Sequence, residues 1–237
     1  MKKIAQGNTA EVYEYTATTI CKLFKENYSK TVAEMEYNNA RMLHRITKLS
    51  PTCHELVCID GRVGLIYDKL QGNDLLQEAA EDFSDTNRIL GILDELVDMH
   101  KRLLSYEMEQ GNSYKSFLSC LVPSRSSEYA QIMQQIEALP DGNTLCHGDF
   151  HPGNLWRNKD GSLSVIDSLT VCRGPREYDI ARTYFLLTEE WEDEEAILPL
   201  KKYLGEVYLE KMGYNTAMLE DYLRVITACR KYELGKA

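Results

Sequence analysis

The first seventy residues alternate between apolar and polar positions with the period of two that half-buried strands show. Residues 3–6 and 11–15 flank the turn Gly7-Asn8-Thr9-Ala10, and residues 19–25 put Ile20, Lys22 and Phe24 on one face. The period then becomes helical. Val32, Met35, Asn39, Met42, Leu43 and Ile46 share a face over residues 30–49, and Ser50-Pro51 stops the helix, since proline cannot continue it. Residues 56–60 and 63–70 form a hairpin around Asp60-Gly61-Arg62. After Gln71-Gly72-Asn73-Asp74 the pattern turns helical. Ser84 or Asp85 caps a helix whose apolar face carries Ile89, Leu93, Leu96, Val97 and His100, with His100 expected as a hydrogen-bonded core histidine. Further helices are predicted over 114–121, 128–139 and from Ile180 to the end. Pro140-Asp141-Gly142-Asn143 and Asn158-Lys159-Asp160-Gly161 read as turns. The second of these sets Asn154 and Asp167 at the ends of a short strand pair, facing one cleft. The expectation is an α+β protein with its boundary after residue 71: residues 1–71 form an antiparallel sheet with one helix, and residues 72–237 are mainly helical.

Composition narrows the function classes. A chain of 237 residues buries roughly 70–75% of its unfolded surface, enough to fold without staples. The net charge of −10 excludes a basic stripe for nucleic acid and is compatible with a small cationic partner. No apolar run approaches the roughly 20 residues of a membrane span, and the start Met1-Lys2-Lys3-Ile4 lacks the apolar core of a signal peptide. Seven scattered cysteines, with only Cys53-His54 and Cys58 close together, fit neither a zinc site nor a redox pair. They read as reduced thiols of a cytoplasmic protein, monomeric or weakly dimeric.

The chemistry concentrates in His147-Gly148-Asp149-Phe150-His151-Pro152-Gly153-Asn154, followed by Val165-Ile166-Asp167. Asn154 lies five residues after Asp149, and Asp167 lies thirteen after Asn154. A phosphoryl-transfer site needs one carboxylate to orient and deprotonate an acceptor hydroxyl, here Asp149. It also needs hard oxygen donors for Mg²⁺ on the phosphates, here Asn154 and Asp167. The competing view, an ordinary turn followed by a capping asparagine, leaves the ordered spacing unexplained. His147 is expected to support the turn from beneath, and His151 to stabilise the turn or touch phosphate.

Together with Gly174-Pro175-Arg176-Glu177-Tyr178-Asp179-Ile180-Ala181, these motifs resemble the aminoglycoside phosphotransferase and choline kinase family, from Ile4 to about Tyr184. The resemblance implies a protein-kinase-like fold of two lobes, a sheet-rich nucleotide-binding N-lobe and a helical C-lobe that carries catalysis and the acceptor. It also implies that Asp179 braces the catalytic turn by accepting backbone amide hydrogens. One departure stands out. The family usually follows the metal aspartate with an aromatic residue, often then an acidic one, whereas here the run is Asp167-Ser168-Leu169-Thr170.

On the nucleotide side, Ala5-Gln6-Gly7-Asn8-Thr9-Ala10-Glu11-Val12 occupies the frame of a glycine-rich loop with one glycine of three. Small residues let backbone amides approach phosphate oxygens, and Gly7, Asn8 and Thr9 form the tip. Lys22 is the candidate for the α- and β-phosphates, and an ammonium on an inward face needs an anionic partner. Glu36 and Glu34 both qualify; the family's helix glutamate resembles Glu36. Residues 66–72 resemble the family's hinge, where backbone groups of Asp68 and Leu70 read the adenine edge.

The resulting expectation is an ATP-dependent kinase, with GTP left open, that uses Mg²⁺ and phosphorylates a hydroxyl of a small molecule such as an aminoglycoside, an amino alcohol or a sugar. The alternatives are a catalytically silent nucleotide-binding module and a protein kinase. Against the latter, only eleven residues, 168–178, separate Asp167 from Asp179, with no Ala-Pro-Glu-like anchor for a peptide-docking segment. The acidic run Glu189-Glu190-Trp191-Glu192-Asp193-Glu194-Glu195 reads either as a cationic-substrate site or as a solvated helix start.

Overall fold

The computed structural model describes residues 1–189 and 197–233. They form two compact units, Met1–Leu75 with Gly153–Thr170, and Leu76–Pro152 with Val171–Ala237.

In the first unit, β1 (Lys2–Gln6), β2 (Ala10–Glu14), β3 (Thr19–Phe24), β4 (Cys53–Ile59) and β5 (Arg62–Asp68) make an antiparallel sheet in the order β1-β2-β3-β5-β4. Period-two alternation sorts the faces. Phe24, Leu65 and Tyr67 turn towards the helix α1 (Lys30–Thr47), while Cys21, Leu23 and Ile66 pack with Tyr13, Val57 and Ile59. Ser29 caps α1 by accepting the Val32 amide hydrogen. The helix ends two residues before the predicted Leu49, because Lys48 turns left-handed and the Thr47 hydroxyl takes over both the Leu43 carbonyl and the Leu49 amide.

The buried face of α1 also differs from the predicted one. It runs through Ala33, Glu36, Asn39, Ala40, Leu43 and Thr47, with Val32, Met35, Met42 and Ile46 at its margins. Small side chains let the helix lie close to the sheet, and three polar residues are buried with partners: Glu36 with Lys22 and Tyr67, Asn39 with the Ser168 and Leu169 carbonyls, and Thr47 with the Leu43 carbonyl.

A second sheet, β6-β8-β9, joins β6 (Gly72–Asp74), β8 (Leu155–Asn158) and β9 (Leu163–Val165). Residues 71–74 marked only the boundary before the helices in the sequence; Gly72–Asp74 within them form an edge strand. Gly72 is required in it: its φ is +142°, and a Cβ there would lie 1.8 Å from the Arg157 carbonyl oxygen.

The second unit is helical, with α2 (Leu75–Ala80) leading into it. It contains α3 (Thr86–Leu103), α4 (Tyr114–Leu121), α5 (Tyr129–Ala138), α6 (Arg176–Thr188), α7 (Leu198–Met212) and α8 (Glu220–Glu233), with a two-stranded sheet of β7 (Thr144–Cys146) and β10 (Cys172–Gly174). Asp85 caps α3. Helix α6 begins at Arg176 rather than Ile180, behind Pro175, whose fixed φ suits a helix entry. All seven cysteines are free thiols, five of them buried. Among the described residues no helix is long and apolar enough to cross a membrane.

Candidate active site

Lys22 enters from the middle of β3, between Val12 on β2 and Leu65 on β5. Its ammonium meets both oxygens of Glu36, at 2.7 and 2.9 Å, and Oδ1 of Asp167 at 3.1 Å. Glu34 lies exposed on the other side of α1 and pairs with Lys30, so Glu36 is the helix partner. Glu36 is fully buried and also accepts from the Tyr67 hydroxyl at 3.1 Å. Burial works against the Lys22 charge, but Asp167 and Glu36 outweigh it and hold the ammonium protonated well above its ordinary range. Burial pushes the Glu36 carboxyl up, and Lys22 pulls it back towards the ionised form. Lys25 points away, as alternation requires, and its ammonium donates to the Asn8 carbonyl. The tip Gly7-Asn8-Thr9 is thereby fastened, with the Gly7 amide donating to Ala10 and the Lys25 amide to Thr9.

Asp167 adopts a left-handed backbone, φ +59°, one of three non-glycine residues to do so among those described. Such a conformation in a non-glycine residue marks a constrained position. The chain is pinned on both sides of it. The Ile166 amide donates to the Asn154 carbonyl at 3.0 Å, and the Asn39 side-chain amide donates to the carbonyls of Ser168 and Leu169, both at 3.1 Å. Asn154 is 7% exposed. An amide oxygen and a carboxylate on adjoining backbone are hard donors, and two of them leave most of an octahedron to phosphates and water, which suits Mg²⁺. Among the described residues no three His, Cys, Asp or Glu side chains gather as a metal site.

Asp68 ties the end of β5 to residues 52–54: its amide donates to the Thr52 carbonyl, and its carboxylate accepts from the Thr52 amide and meets His54 Nε2 at 2.7 Å. Leu70 follows at the end of that segment, just before β6.

Asp149 belongs to the second unit. Its turn includes Gly148 at φ +76° and is held by α6. The buried carboxylate of Asp179 accepts the amide hydrogens of His147, at 2.8 Å, and Gly148, at 2.7 Å. His100 Nε2 approaches the same carboxylate at 3.1 Å, while its Nδ1 lies 2.7 Å from the Tyr208 hydroxyl and its ring stacks on Phe150. These partners make Nε2 the protonated nitrogen. Arg182, one helical turn after Asp179, donates from Nε to the Gly148 carbonyl at 3.0 Å and pairs with both oxygens of Glu233 at 2.8 Å. Burial would raise the Asp149 carboxyl, but His151, 3.8 Å away, and the charge of Arg182 outweigh it, so Asp149 stays ionised well below the usual carboxylate range. At 3.8 Å the His151 contact is longer than a hydrogen bond.

Tyr67, Arg182 and Glu233 did not stand out in the sequence, and Asn39 appeared there only as a position on the helix face of residues 30–49. Arg182 left a trace as well: three residues after Asp179, it shares that residue's helix face. Of the acidic run, Glu189 receives Arg230 Nε and Nη2 at 2.9 and 2.8 Å; residues 190–195 lie outside the described residues.

An antiparallel N-terminal sheet with a lysine–glutamate pair, followed by a helical part with a braced His-Gly-Asp turn, defines a kinase of the protein-kinase-like class. The chain belongs to the phosphotransferase enzyme family, whose model matches residues 1–214. Comparison with curated protein sequences finds no match. Solved structures share the fold. An aminoglycoside 3′-phosphotransferase of type VIII superposes with a TM-score of 0.65 at 15% identity, over 98% of this chain and 91% of that one. A 3″-phosphotransferase from Streptomyces rimosus, solved with ADP and streptomycin, gives 0.61 at 15%, over 91% and 88%. Choline kinase LicA from Streptococcus pneumoniae gives 0.53 at 15%, over 98% and 93%.

Proposed function

We propose that this phosphotransferase moves the γ-phosphoryl group of ATP to a hydroxyl of a small molecule, in the class of aminoglycosides, amino alcohols and sugars, with Mg²⁺ on the phosphates. The observation that carries the reading is the Lys22 ammonium held between Glu36 and Asp167. A permanent cation, fixed by a buried glutamate that cannot itself reach phosphate, is what nucleotide phosphates require.

Lys22 binds the α- and β-phosphates, with Gly7, Asn8 and Thr9 covering them and the backbone of Asp68 and Leu70 at the base. Asn154 and Asp167 hold Mg²⁺, which when bound neutralises charge on the phosphate oxygens. Asp149 orients the acceptor hydroxyl and takes its proton on a carboxylate oxygen. The acceptor oxygen bonds to the γ-phosphorus as the bond to the β,γ-bridging oxygen breaks, and ADP leaves with that electron pair. The low proton affinity of Asp149 keeps it ionised throughout the neutral range, so it acts more by orientation than by strong basicity.

The small-molecule acceptor is supported by the short connection between Asp167 and Asp179. The paired state of Glu189 removes that residue as a free anionic contact. Mg²⁺-dependent ADP formation, screened over hydroxylated amines, sugars and aminoglycosides, tests the reading. One acceptor raising turnover well above the ATPase background is the expected result; phosphorylation of proteins alone would overturn it.

A further inference from the structure

We propose that Asn39 is a positioning residue for Asp167: its side-chain amide locks the two following carbonyls and so keeps the metal-binding aspartate in its left-handed conformation. The inference rests on the reading of Asp167 as a metal ligand, and its test is built to separate the two.

The position after the aspartate carries a serine where the family usually has a large ring. Ser168 is nevertheless buried, 4% exposed, and its immediate surroundings are polar. Its carbonyl accepts from Asn39 Nδ2, as does the next one, at 3.1 Å each. Its hydroxyl hydrogen-bonds Tyr67, whose own hydroxyl donates to Glu36. Consecutive carbonyls of an extended strand point in opposite directions; one amide nitrogen can reach both only where the chain turns. That turn, at Leu169–Thr170, directly follows the left-handed Asp167. The Asn39 amide thus selects the backbone shape that Asp167 needs.

The donor's origin extends the consequence. Asn39 lies three residues after Glu36 on the buried face of α1. A single helix face therefore fixes Lys22 through Glu36 and the backbone after Asp167 through Asn39. Asparagine suits the task by chemistry. Aspartate of the same shape would turn lone pairs towards two carbonyls, and alanine would leave both carbonyls without this donor.

The test compares wild type with Asn39→Asp, Asn39→Ala and Leu43→Ala, the last a core truncation on the same helix that lowers stability while keeping the Asn39 amide. The Mg²⁺ concentration that half-saturates nucleotide binding should rise about tenfold or more in both Asn39 variants, the usual effect of losing a group that orients a ligand. Nucleotide affinity in EDTA should stay at the wild-type value. Without metal or nucleotide, amide exchange of residues 165–170 should quicken in the Asn39 variants and not in Leu43→Ala. If Asn39→Ala does not fold, Asn39→Asp and Asn39→Ser carry the same readouts. Wild-type Mg²⁺ requirement and exchange in the Asn39 variants, or equal shifts in Leu43→Ala, would overturn the proposal. If Asp167→Ala retains the full Mg²⁺ effect, the metal reading fails instead, and the exchange measurement still decides whether Asn39 braces the segment.

Discussion

Lys22 and Asp167, 145 residues apart in sequence, share a contact of 3.1 Å, although Glu36 already holds the same ammonium at 2.7 Å. One cation serves two carboxylates of unequal exposure: Glu36 is buried, whereas the Asp167 side chain is 39% exposed. Under the proposed function, Asp167 is the partner that would exchange Lys22 for a metal ion. Asp167→Ala should lose most of the metal-dependent part of nucleotide affinity while keeping the metal-free part, as read by calorimetry with and without Mg²⁺. Undiminished Mg²⁺ dependence would remove Asp167 from the site.

Asp149 should contribute to rate more than to binding. Asp149→Asn preserves shape but removes the charge, and turnover should fall by about 10²–10⁴-fold with nucleotide affinity unchanged. Equal turnover in the variant and wild type would assign the acceptor proton elsewhere.

Its pH dependence follows from His151. Burial raises the Asp149 carboxyl, and His151 and Arg182 more than offset this. Because the folded pKa is depressed, the ionised form persists as pH falls below the unfolded value, and any stability it confers is complete above the unfolded value, declines below it and is gone once pH passes the lower folded value. Wild-type kcat/KM should thus show no Asp149 limb between neutrality and the normal carboxylate range. His151→Gln removes the largest influence opposing burial and leaves Arg182 as the main one, so an acidic limb should move up towards the measurable range. Coincident pH profiles for the two proteins would show that His151 does not set the charge of Asp149.

Much of this arrangement was legible in the sequence because it depends on local signals. Alternation placed Lys22 on the face of Phe24 and turned Lys25 outward, and turn chemistry found the hairpin at Asp60-Gly61. The apolar count misplaced much of the buried face of α1: Asn39 and Leu43 lie on it as expected, but Glu36 is buried through Lys22 and Tyr67, partners distant in sequence that periodicity cannot register. Residues 71–74 read only as the boundary before the helices for a similar reason. Their strand exists only by pairing with β8, and the obligate Gly72 resembles any turn glycine until Arg157 is placed beside it. The His-Gly-Asp motif was visible; its Arg182–Glu233 support was not, since an arginine in a helix ordinarily reads as solvated.

Gly72 gives a direct stability test. A methyl group there would overlap the Arg157 carbonyl, at 1.8 Å, in a backbone conformation that side chains rarely adopt. Gly72→Ala should cost on the order of 2–4 kcal/mol from strain and overpacking together, seen as a lowered Tm. Gly161→Ala serves as the comparison: it also has positive φ, but open space surrounds it, and its loss should be smaller.

The last prediction concerns the support beneath the catalytic turn. Arg182 is 1% exposed, donates to the Gly148 carbonyl and pairs with Glu233, which also meets Arg230; Arg230 in turn binds Glu189. A buried charge without its partner is worse than no charge at all. Glu233→Ala should therefore destabilise the protein by about 3 kcal/mol, and adding Arg182→Met should restore part of that loss by removing the stranded guanidinium. Activity should not follow stability. The double variant still lacks the donor to Gly148, the residue before Asp149, so its kcat should stay low even where its Tm recovers. A double variant that regains both would show that Arg182 stabilises the fold without positioning the turn.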